Sequence, residues 1–509
     1  MRHPVYTSSQ IRAIDAHTIN DLGIAGPALM EMAARACAQE ILSAYGDEAA
    51  RGVVVVAGKG NNGGDGYVIA RMLHGAGVPV RAVGLPGEHS ADCAAARRAA
   101  ELLGVPVFED AGAAYFSKAG VVVDALLGTG LSSDLRGRAL ELTLLIQGAR
   151  EKGAKVLAVD LPTGLCGDTG RVLGDAVTAD VTVTFGRARA GQLLEPGADR
   201  VGRLVVADIG LVEVGSPAGP PVMAVLEGPE VAALIPPRAA ASHKGRHGHL
   251  GVIAGSRDKA GAAVLCCNAA MRAGCGLVTL IVGPEVVPRL AGLRPEVMLH
   301  IANRTTPELL MTFDALAVGP GRGIERQTLK QLRGIWRSYE GPAVFDADGL
   351  SALVDAFRPS EHPRCITPHP GEAARLLRKT TAAVQEDRLG TIRALGAVAP
   401  ALLKGRNTLI DAGGDEPVIV NPTGTPDLAT AGSGDVLTGI VGALLARGLP
   451  PRDALIVGAF VHGLAGEQVG GYLVAGDLID GLRGAFAGLA ERVGAIDYRP
   501  LLSRPPSSR

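Results

Sequence analysis

Apolar side chains at Ile11, Ile14, Leu29, Met32 and Ile41, set among alanines and charges, give residues 8–50 a helical spacing. The texture then changes. Val53-Val54-Val55-Val56 is a short β-branched run that stops at a glycine-rich stretch, and Tyr67-Val68-Ile69-Ala70-Arg71-Met72-Leu73 resumes a helical pattern. The local prediction is strand, loop, helix. The same alternation recurs at 80–83, 121–124, 156–160 and 181–184, with helix-like segments between. Strands alternating with helices predict a mostly parallel sheet covered on both faces, with ligands bound beyond the carboxyl ends of the strands. Asp124 and Asp160 each end a predicted strand, so both are expected at the edge that carries the glycine-rich stretch.

Between about 212 and 240 the pattern breaks at Gly215-Ser216-Pro217-Ala218-Gly219-Pro220-Pro221 and Pro236-Pro237. Strand-like runs restart at 250–254, 277–282, 315–318 and 343–346. A chain of 509 residues is too long for one ordinary core. Two α/β domains are therefore expected, a first over 1–215 and a second over 225–505.

Composition narrows the function classes. Fifty basic and fifty-one acidic side chains leave a formal charge of −1, which supplies no global field for nucleic acid or an anionic membrane. Phosphates would have to be held locally. The seven cysteines are scattered and lack any CxxC spacing, so neither a disulfide framework nor a structural zinc site is expected, and a reducing cytoplasm fits best. The first residues show no continuous apolar core of a signal peptide, and charges or prolines interrupt every apolar stretch before the ~20 residues a membrane helix needs.

Two glycine-rich stretches with an aspartate remain as candidate sites. In the first, Gly58-x-Gly60-x-x-Gly63 formally matches a dinucleotide fingerprint. Asn61, Asn62 and Asp65 crowd that loop, however, and a carboxylate beside a pyrophosphate would repel it, which disfavours an ordinary NAD-binding oxidoreductase. Asn61-Asn62-Gly63-Gly64-Asp65-Gly66-Tyr67, Asp124-Ala125-Leu126-Leu127-Gly128-Thr129-Gly130 and Val159-Asp160-Leu161-Pro162-Thr163-Gly164 resemble, in order, the motifs of the NAD(P)H-hydrate epimerase family. The resemblance covers about residues 8–212. It implies a Rossmann-like three-layer domain that interconverts the C6 epimers of hydrated nicotinamide cofactors, with K⁺ at Asn62, Asp124 and Thr163, where the family often has serine at the last position. It also implies a substrate pocket walled by Asn61, Asn62, Gly63, Gly64 and Asp65 and by Gly128, Thr129, Gly130, Leu131, Ser132, Ser133 and Asp134. Asp160 is the candidate acid/base, because a 6-hydroxy group beside a ring nitrogen can leave with acid assistance and return to the other face. Taken singly, Asp124 and Asp160 could equally be helix caps after strands.

The second stretch, Ala431-Gly432-Ser433-Gly434-Asp435, runs from small residues into an apolar helical pattern. Backbone amides at such a helix start can hold an anion while Asp435 takes a proton from a substrate hydroxyl. Together with Gly319-Pro320-Gly321-Arg322-Gly323, Asp346-Ala347-Asp348-Gly349, Thr367-Pro368-His369-Pro370-Gly371-Glu372 and Lys404-Gly405-Arg406-Asn407-Thr408, it resembles the NAD(P)H-hydrate dehydratase family over about 225–490. This implies a ribokinase-like fold and phosphorylation of the C6 hydroxyl at the expense of a nucleotide, ADP with Mg²⁺ in the fused bacterial type, followed by loss of phosphate. Ala262, Gly321, His369 and Asp435 carry over as contacts to the hydrated cofactor, and Lys404, Gly405, Arg406, Asn407, Thr408 and Gly434 as contacts to the nucleotide. No residue pattern separates ADP from ATP. A less favoured reading makes His369 in Pro-His-Pro a rigid loop residue without ligand contact, and Asp346 and Asp348 can likewise be read as caps of the turn after a strand.

The paired resemblance implies NADHX and NADPHX as substrates, no nucleic-acid or membrane partner, and a homo-oligomer, tetramer or larger. Two alternatives stay open on the residues alone: a ribokinase-like small-molecule kinase in the second half, and a non-catalytic binding module in the first.

Overall fold

The computed structural model describes residues 3–131, 133–237, 241, 243–302 and 304–501. The chain forms two compact α/β units. The first contains residues 3–222 together with 496–501, and the second contains Met223–Ala495.

In hydrogen-bonded order the sheet of the first unit runs Asp497–Arg499, Arg203–Ala207, Val181–Phe185, Lys155–Val159, Val121–Ala125, Val53–Ala57, Val80–Gly84 and Val107–Phe108. All of its pairings are parallel. The β-branched run explains why: Val53, Val55 and Ala57 pack into one apolar cluster while Val54 and Val56 pack into another on the opposite face. A strand buried on both sides gains about 1.5–3 kcal/mol for each such side chain removed from water. The register sets Val56 beside Asp124 and Asp124 beside Ala158, so the carboxyl edges of the three central strands are level.

Residues 496–501 depart from the expected division, in which the second domain extends to 505. Asp497–Arg499 pairs in parallel with Arg203–Ala207, and Glu40, fully buried, forms ion pairs with both Arg203 and Arg499. Backbone pairing and a buried carboxylate that needs counter-charges hold this segment in the first unit.

The sheet of the second unit runs Met298–Ile301, Leu277–Val282, His249–Ile253, Ala315–Val318, Ala343–Phe345, Arg364–Ile366, Ala401–Leu403, Thr408–Asp411, Val418–Asn421 and Met223–Val225. Here the expectation of a mostly parallel sheet holds from Met298–Ile301 to Ala401–Leu403, and then two antiparallel pairings follow. Short connections at 404–407 and 412–417 allow no crossover helix, so the chain must double back. The helices Ala260–Arg272, Ser433–Ala446 and Pro451–Val469 contribute most of the apolar layer over this sheet.

Candidate active sites

After Val53–Ala57 the true loop is only Gly58-Lys59-Gly60, and the helix begins at Asn61 rather than at Tyr67 as the sequence pattern suggests. Close packing accounts for the glycines. A Cβ on Gly58 would lie 1.9 Å from the Leu126 carbonyl oxygen, one on Gly63 would lie 2.0 Å from the Gly58 oxygen, and one on Gly66 would lie 2.6 Å from the Ala125 Cβ. The helix start is thus pressed against the neighbouring strand end, which puts Asn61, Asn62 and Asp65 at the carboxyl edge of the sheet.

One bend of chain gathers three of the predicted side chains. Asp124 is fully buried and accepts from the Thr163 N–H at 2.7 Å, the Thr163 hydroxyl at 2.6 Å and the Leu126 N–H at 3.3 Å. Burial pushes its carboxyl up to about 6, against the pull of the Thr163 bonds. The Leu127 N–H donates to the Thr163 hydroxyl, and the next residue, Gly128, lies so close to Asn62 that a Cβ would stand 3.2 Å from its Oδ1. Asn62 Nδ2 is buried and has no hydrogen-bond partner among the described residues.

Asp160 follows its strand in the left-handed region at φ +66°, a conformation uncommon for a non-glycine residue. Its position is over-determined. The backbone N–H donates to Val183 O at 2.8 Å, the backbone oxygen accepts from Gln192 Nε2 at 2.7 Å, and Oδ1 meets Thr184 Oγ1 at 2.9 Å and Arg189 Nη1 at 2.8 Å. Arg189 is itself buried and also donates to the Phe185 and Arg187 carbonyls.

These groups open onto a cavity of about 420 Å³ lined by Asn61, Asn62, Asp65, Gly128, Thr129, Gly130 and Asp160 among the predicted residues. Gly63 and Gly64 back this wall without lining it, and Leu131, Ser133 and Asp134 also lie off the lining; Asp134 turns toward Gly174 instead. Ser132 is outside the described residues. Sequence reasoning missed Arg189, Asp15 and Arg12, which line the same cavity. Only the first had a signal: a buried carboxylate at a strand end calls for a cation, though not for a particular one.

In the second unit Gly432, at φ +89°, turns the chain into the helix Ser433–Ala446. Ser433 is fixed there by His462, whose ring nitrogen lies 3.1 Å from the hydroxyl; burial drives that imidazole down to about 4. Asp435 stands in the first turn, and its carboxyl is pushed up to about 7, first by burial and then by the charge of Asp346, with Lys404 opposing. Lys404 Nζ donates to Asp346 Oδ1 at 2.7 Å, Thr438 Oγ1 donates to Asp346 Oδ2 at 2.8 Å, and a Cβ on Gly434 would lie 3.2 Å from Lys404 Nζ. The Lys404 loop and the glycine-rich helix start therefore meet.

Gly321, at φ +58°, comes against Ala262: a Cβ there would stand 2.9 Å from the Ala262 Cβ. Asp348 does more than cap its turn. Its Oδ2 accepts from the Gly323 N–H at 2.8 Å and pairs with Lys259 Nζ at 3.4 Å, tying the Gly321 loop to the Ala262 helix. His369 caps the helix Pro370–Leu377, its Nδ1 accepting from the Gly371 N–H at 3.1 Å, and it is half-exposed beside Lys404, whose N–H bonds to Pro368 O. Burial and the Lys404 charge hold its imidazole below the usual value. Within 404–408, Gly405 and Asn407 both have positive φ, the Thr408 hydroxyl donates to Gly405 O, and Arg406 is exposed.

A family profile described as YjeF-related protein N-terminus matches residues 26–191, and one described as NAD(P)H-hydrate dehydratase matches 250–476. The chain is 35% identical to a bifunctional NAD(P)H-hydrate repair enzyme of Moorella thermoacetica, covering 96% of this chain and 98% of that one. It is 36% identical to a protein of the same description in Escherichia coli K12, covering 91% and 89%. Among solved structures it is similar to the ADP/ATP-dependent NAD(P)H-hydrate dehydratase of Bacillus subtilis co-crystallised with ATP/Mg²⁺, with 29% identity and a TM-score of 0.47 over 52% of this chain and 97% of that one. The near full-length likeness and the order of the two profiles make the chain a member of the bifunctional NAD(P)H-hydrate repair enzyme family.

Proposed function

We propose that this chain repairs hydrated nicotinamide cofactors, NADHX and NADPHX, in two steps. The first unit interconverts the R and S forms at C6, and the second dehydrates the S form at the expense of ADP. The observation that carries this reading is the contrast between two aspartates on separate units. Asp160 is ion-paired to buried Arg189 over a cavity, whereas Asp435, with its carboxyl near 7, heads a glycine-rich helix start beside Lys404.

In the first unit, Asp160 performs acid–base work at C6 while Asn61, Asn62, Gly63, Gly64, Asp65 and the 128–134 loop hold the cofactor. K⁺ is assigned to Asn62, Asp124 and Thr163. The residues fit a hard monovalent cation: Asp124 and Thr163 present oxygens 2.6 Å apart, the described partners of the buried Asp124 carboxylate include no cation, and the Asn62 amide turned over would bring an oxygen to the place of its unpartnered nitrogen. When bound, the ion would offset the charge of the cofactor phosphates.

In the second unit, Ala262, Gly321 and His369 orient the hydrated nicotinamide, and Lys404, Gly405, Arg406, Asn407, Thr408 and Gly434 hold the nucleotide. Asp435 removes the proton of the C6 hydroxyl as that oxygen attacks the terminal phosphoryl group. Amides of the helix start stabilise the charge that develops. The C6–O bond then breaks with its electron pair leaving on phosphate, and loss of a proton from C5 to solvent or to the departing phosphate restores the C5–C6 double bond. Mg²⁺ suits this chemistry as a shield for phosphate charge, and both Asp346 oxygens are already engaged by Lys404 and Thr438, so the nucleotide itself would supply most of its ligands.

The test supplies purified epimers of NADHX with ADP or ATP and follows recovery of reduced-cofactor absorbance. Asp435→Ala should abolish recovery from both epimers, and Asp160→Ala should slow only the epimer that must first be converted. Equal loss of both activities in both variants would overturn the two-site scheme, and stable accumulation of a phosphorylated product would point to a kinase instead. A cytoplasmic setting is supported by seven free cysteines, six of them buried. No helix among the described residues is long and apolar enough to cross a membrane. The assembly is proposed to be a tetramer or larger, which light scattering would measure.

A further inference from the structure

Four carboxyl groups line the cavity of the first unit, Asp15, Asp65, Asp92 and Asp160, and they are not equivalent; Asp92 is partly exposed and lies beside Gly26. Asp160 is committed: its Oδ1 is held by the Arg189 guanidinium and the Thr184 hydroxyl. Asp15 is partly exposed and lies in the field of the same guanidinium, which offsets part of what burial and Asp160 do to it. Asp65 has neither relief. It is 8% exposed, lines the cavity, and accepts no hydrogen bond from any described residue.

Its support is rigid. Asp65 begins the second turn of the helix Asn61–Gly75, between Gly63 and Gly66, both of which allow that helix to touch the strand ends with no room for a Cβ. Burial, then the charges of Asp160 and Asp15, push its carboxyl well above the ordinary carboxylate range. No cation enters that balance; the nearby thiols of Cys37 and Cys93 are themselves pushed up by burial and stay neutral. One ion-paired carboxylate and one buried carboxyl without a counter-charge, lining the same cavity, form a division of labour for acid and base.

We propose that Asp65 is the proton donor of the epimerisation, acting across the cavity from the Asp160 carboxylate; this rests on the epimerase reading of the first unit. The C6–O bond breaks with its electron pair going to oxygen, which takes the Asp65 proton and leaves as water. The lone pair of the ring nitrogen moves to form a C6=N⁺ iminium, whose charge the Asp160 carboxylate faces. A water then adds to the opposite face: its oxygen forms the new C6–O bond, its proton goes to Asp160, and the iminium electron pair returns to nitrogen. Proton exchange with solvent restores Asp65 to its neutral form and Asp160 to its carboxylate. In the reverse direction the two residues exchange roles.

The test uses the full chain and separated NADHX epimers without nucleotide, following epimer interconversion by chromatography. Asp65→Asn keeps shape and burial but removes the acid. Its kcat should fall by about 100-fold or more with KM within about twofold. Thermal unfolding and ADP-dependent dehydration of the S epimer should match wild type, which separates lost chemistry from lost structure. Asp15→Asn should lose less than tenfold. The inference is overturned if Asp65→Asn retains kcat within threefold, if its loss lies in KM alone, or if Asp15→Asn takes the larger loss. Absence of interconversion by the wild-type protein would instead remove the epimerase reading beneath it.

Discussion

Lys404→Met should destabilise the second unit strongly, and the reason lies in Asp346. That carboxylate is 2% exposed and has two side-chain partners, Lys404 Nζ at 2.7 Å and the Thr438 hydroxyl at 2.8 Å. At an effective dielectric of about 20, two unit charges 2.7 Å apart attract by about 6 kcal/mol. Much of this is offset by the desolvation both groups suffered on folding. Removing one partner of such a pair still leaves an uncompensated buried charge, which costs about 3–5 kcal/mol. Thr438 can keep only one of the two oxygens satisfied. The assay is urea unfolding followed by tryptophan fluorescence. Trp336 is the only tryptophan in the chain, is 2% exposed, and packs edge-on against Phe345, the residue before Asp346. Its signal therefore reports on this unit and on the strand that carries the pair. With a urea slope of about 3 kcal/mol per molar, the midpoint should fall by about 1 M or slightly more. Adding Asp346→Asn to Lys404→Met removes the stranded charge and should recover about 2 kcal/mol, so the double variant is the more stable of the two. A Lys404→Met midpoint equal to wild type, or a double variant as unstable as the sum of the single changes, would refute the claim that the pair is structural.

Three further outcomes follow from other parts of the fold. Gly58→Ala would put a methyl group 1.9 Å from the Leu126 carbonyl and should lower stability of the first unit by more than about 2 kcal/mol, read as loss of soluble protein or a lowered melting transition. Dehydration by the second unit should rise with pH through about 7, since the base form of Asp435 is the ionised one and burial and the Asp346 charge hold its proton on below that point; a rate flat from pH 5.5 to 8.5 would exclude Asp435 as the base. Thr163→Val removes the hydroxyl that donates to Asp124 in a buried bond and accepts from the half-buried Leu127 N–H, contacts worth about 1–3 kcal/mol when stranded, and epimerisation should lose its dependence on K⁺ when KCl is exchanged for choline chloride.

Alternation of apolar runs with helical spacing located the central strands of both units, because a strand buried on both faces must be written as a continuous β-branched run such as Val53–Ala57. Three-residue strands such as Arg364–Ile366 and Ala401–Leu403 escaped, since so few residues display no period. The glycine–aspartate stretches were legible as sites, yet the extent of the first was misjudged: Asn61, Asn62 and Gly63 read as loop residues and are helical. Propensity disfavours them there, and packing against Ala125 and Leu126 overrides it.

What the linear chain determined by itself was local: which runs are strands, where the breakers fall, and which short motifs carry carboxylates at strand ends. Tertiary structure alone decided who meets whom. Arg189 reaches Asp160 from 29 residues away, Lys404 reaches Asp346 from 58, Gly321 closes on Ala262, and Asp497–Arg499 returns to the first sheet. Periodicity reports only a residue's own few neighbours, whereas the charge state of a buried carboxylate depends on partners that folding brings from far along the chain. That is why Asp160 and Asp435 could be picked out as aspartates of interest from their motifs, while the ion pair that holds one, and the burial and Asp346 charge that lift the other to about 7, became visible only in three dimensions.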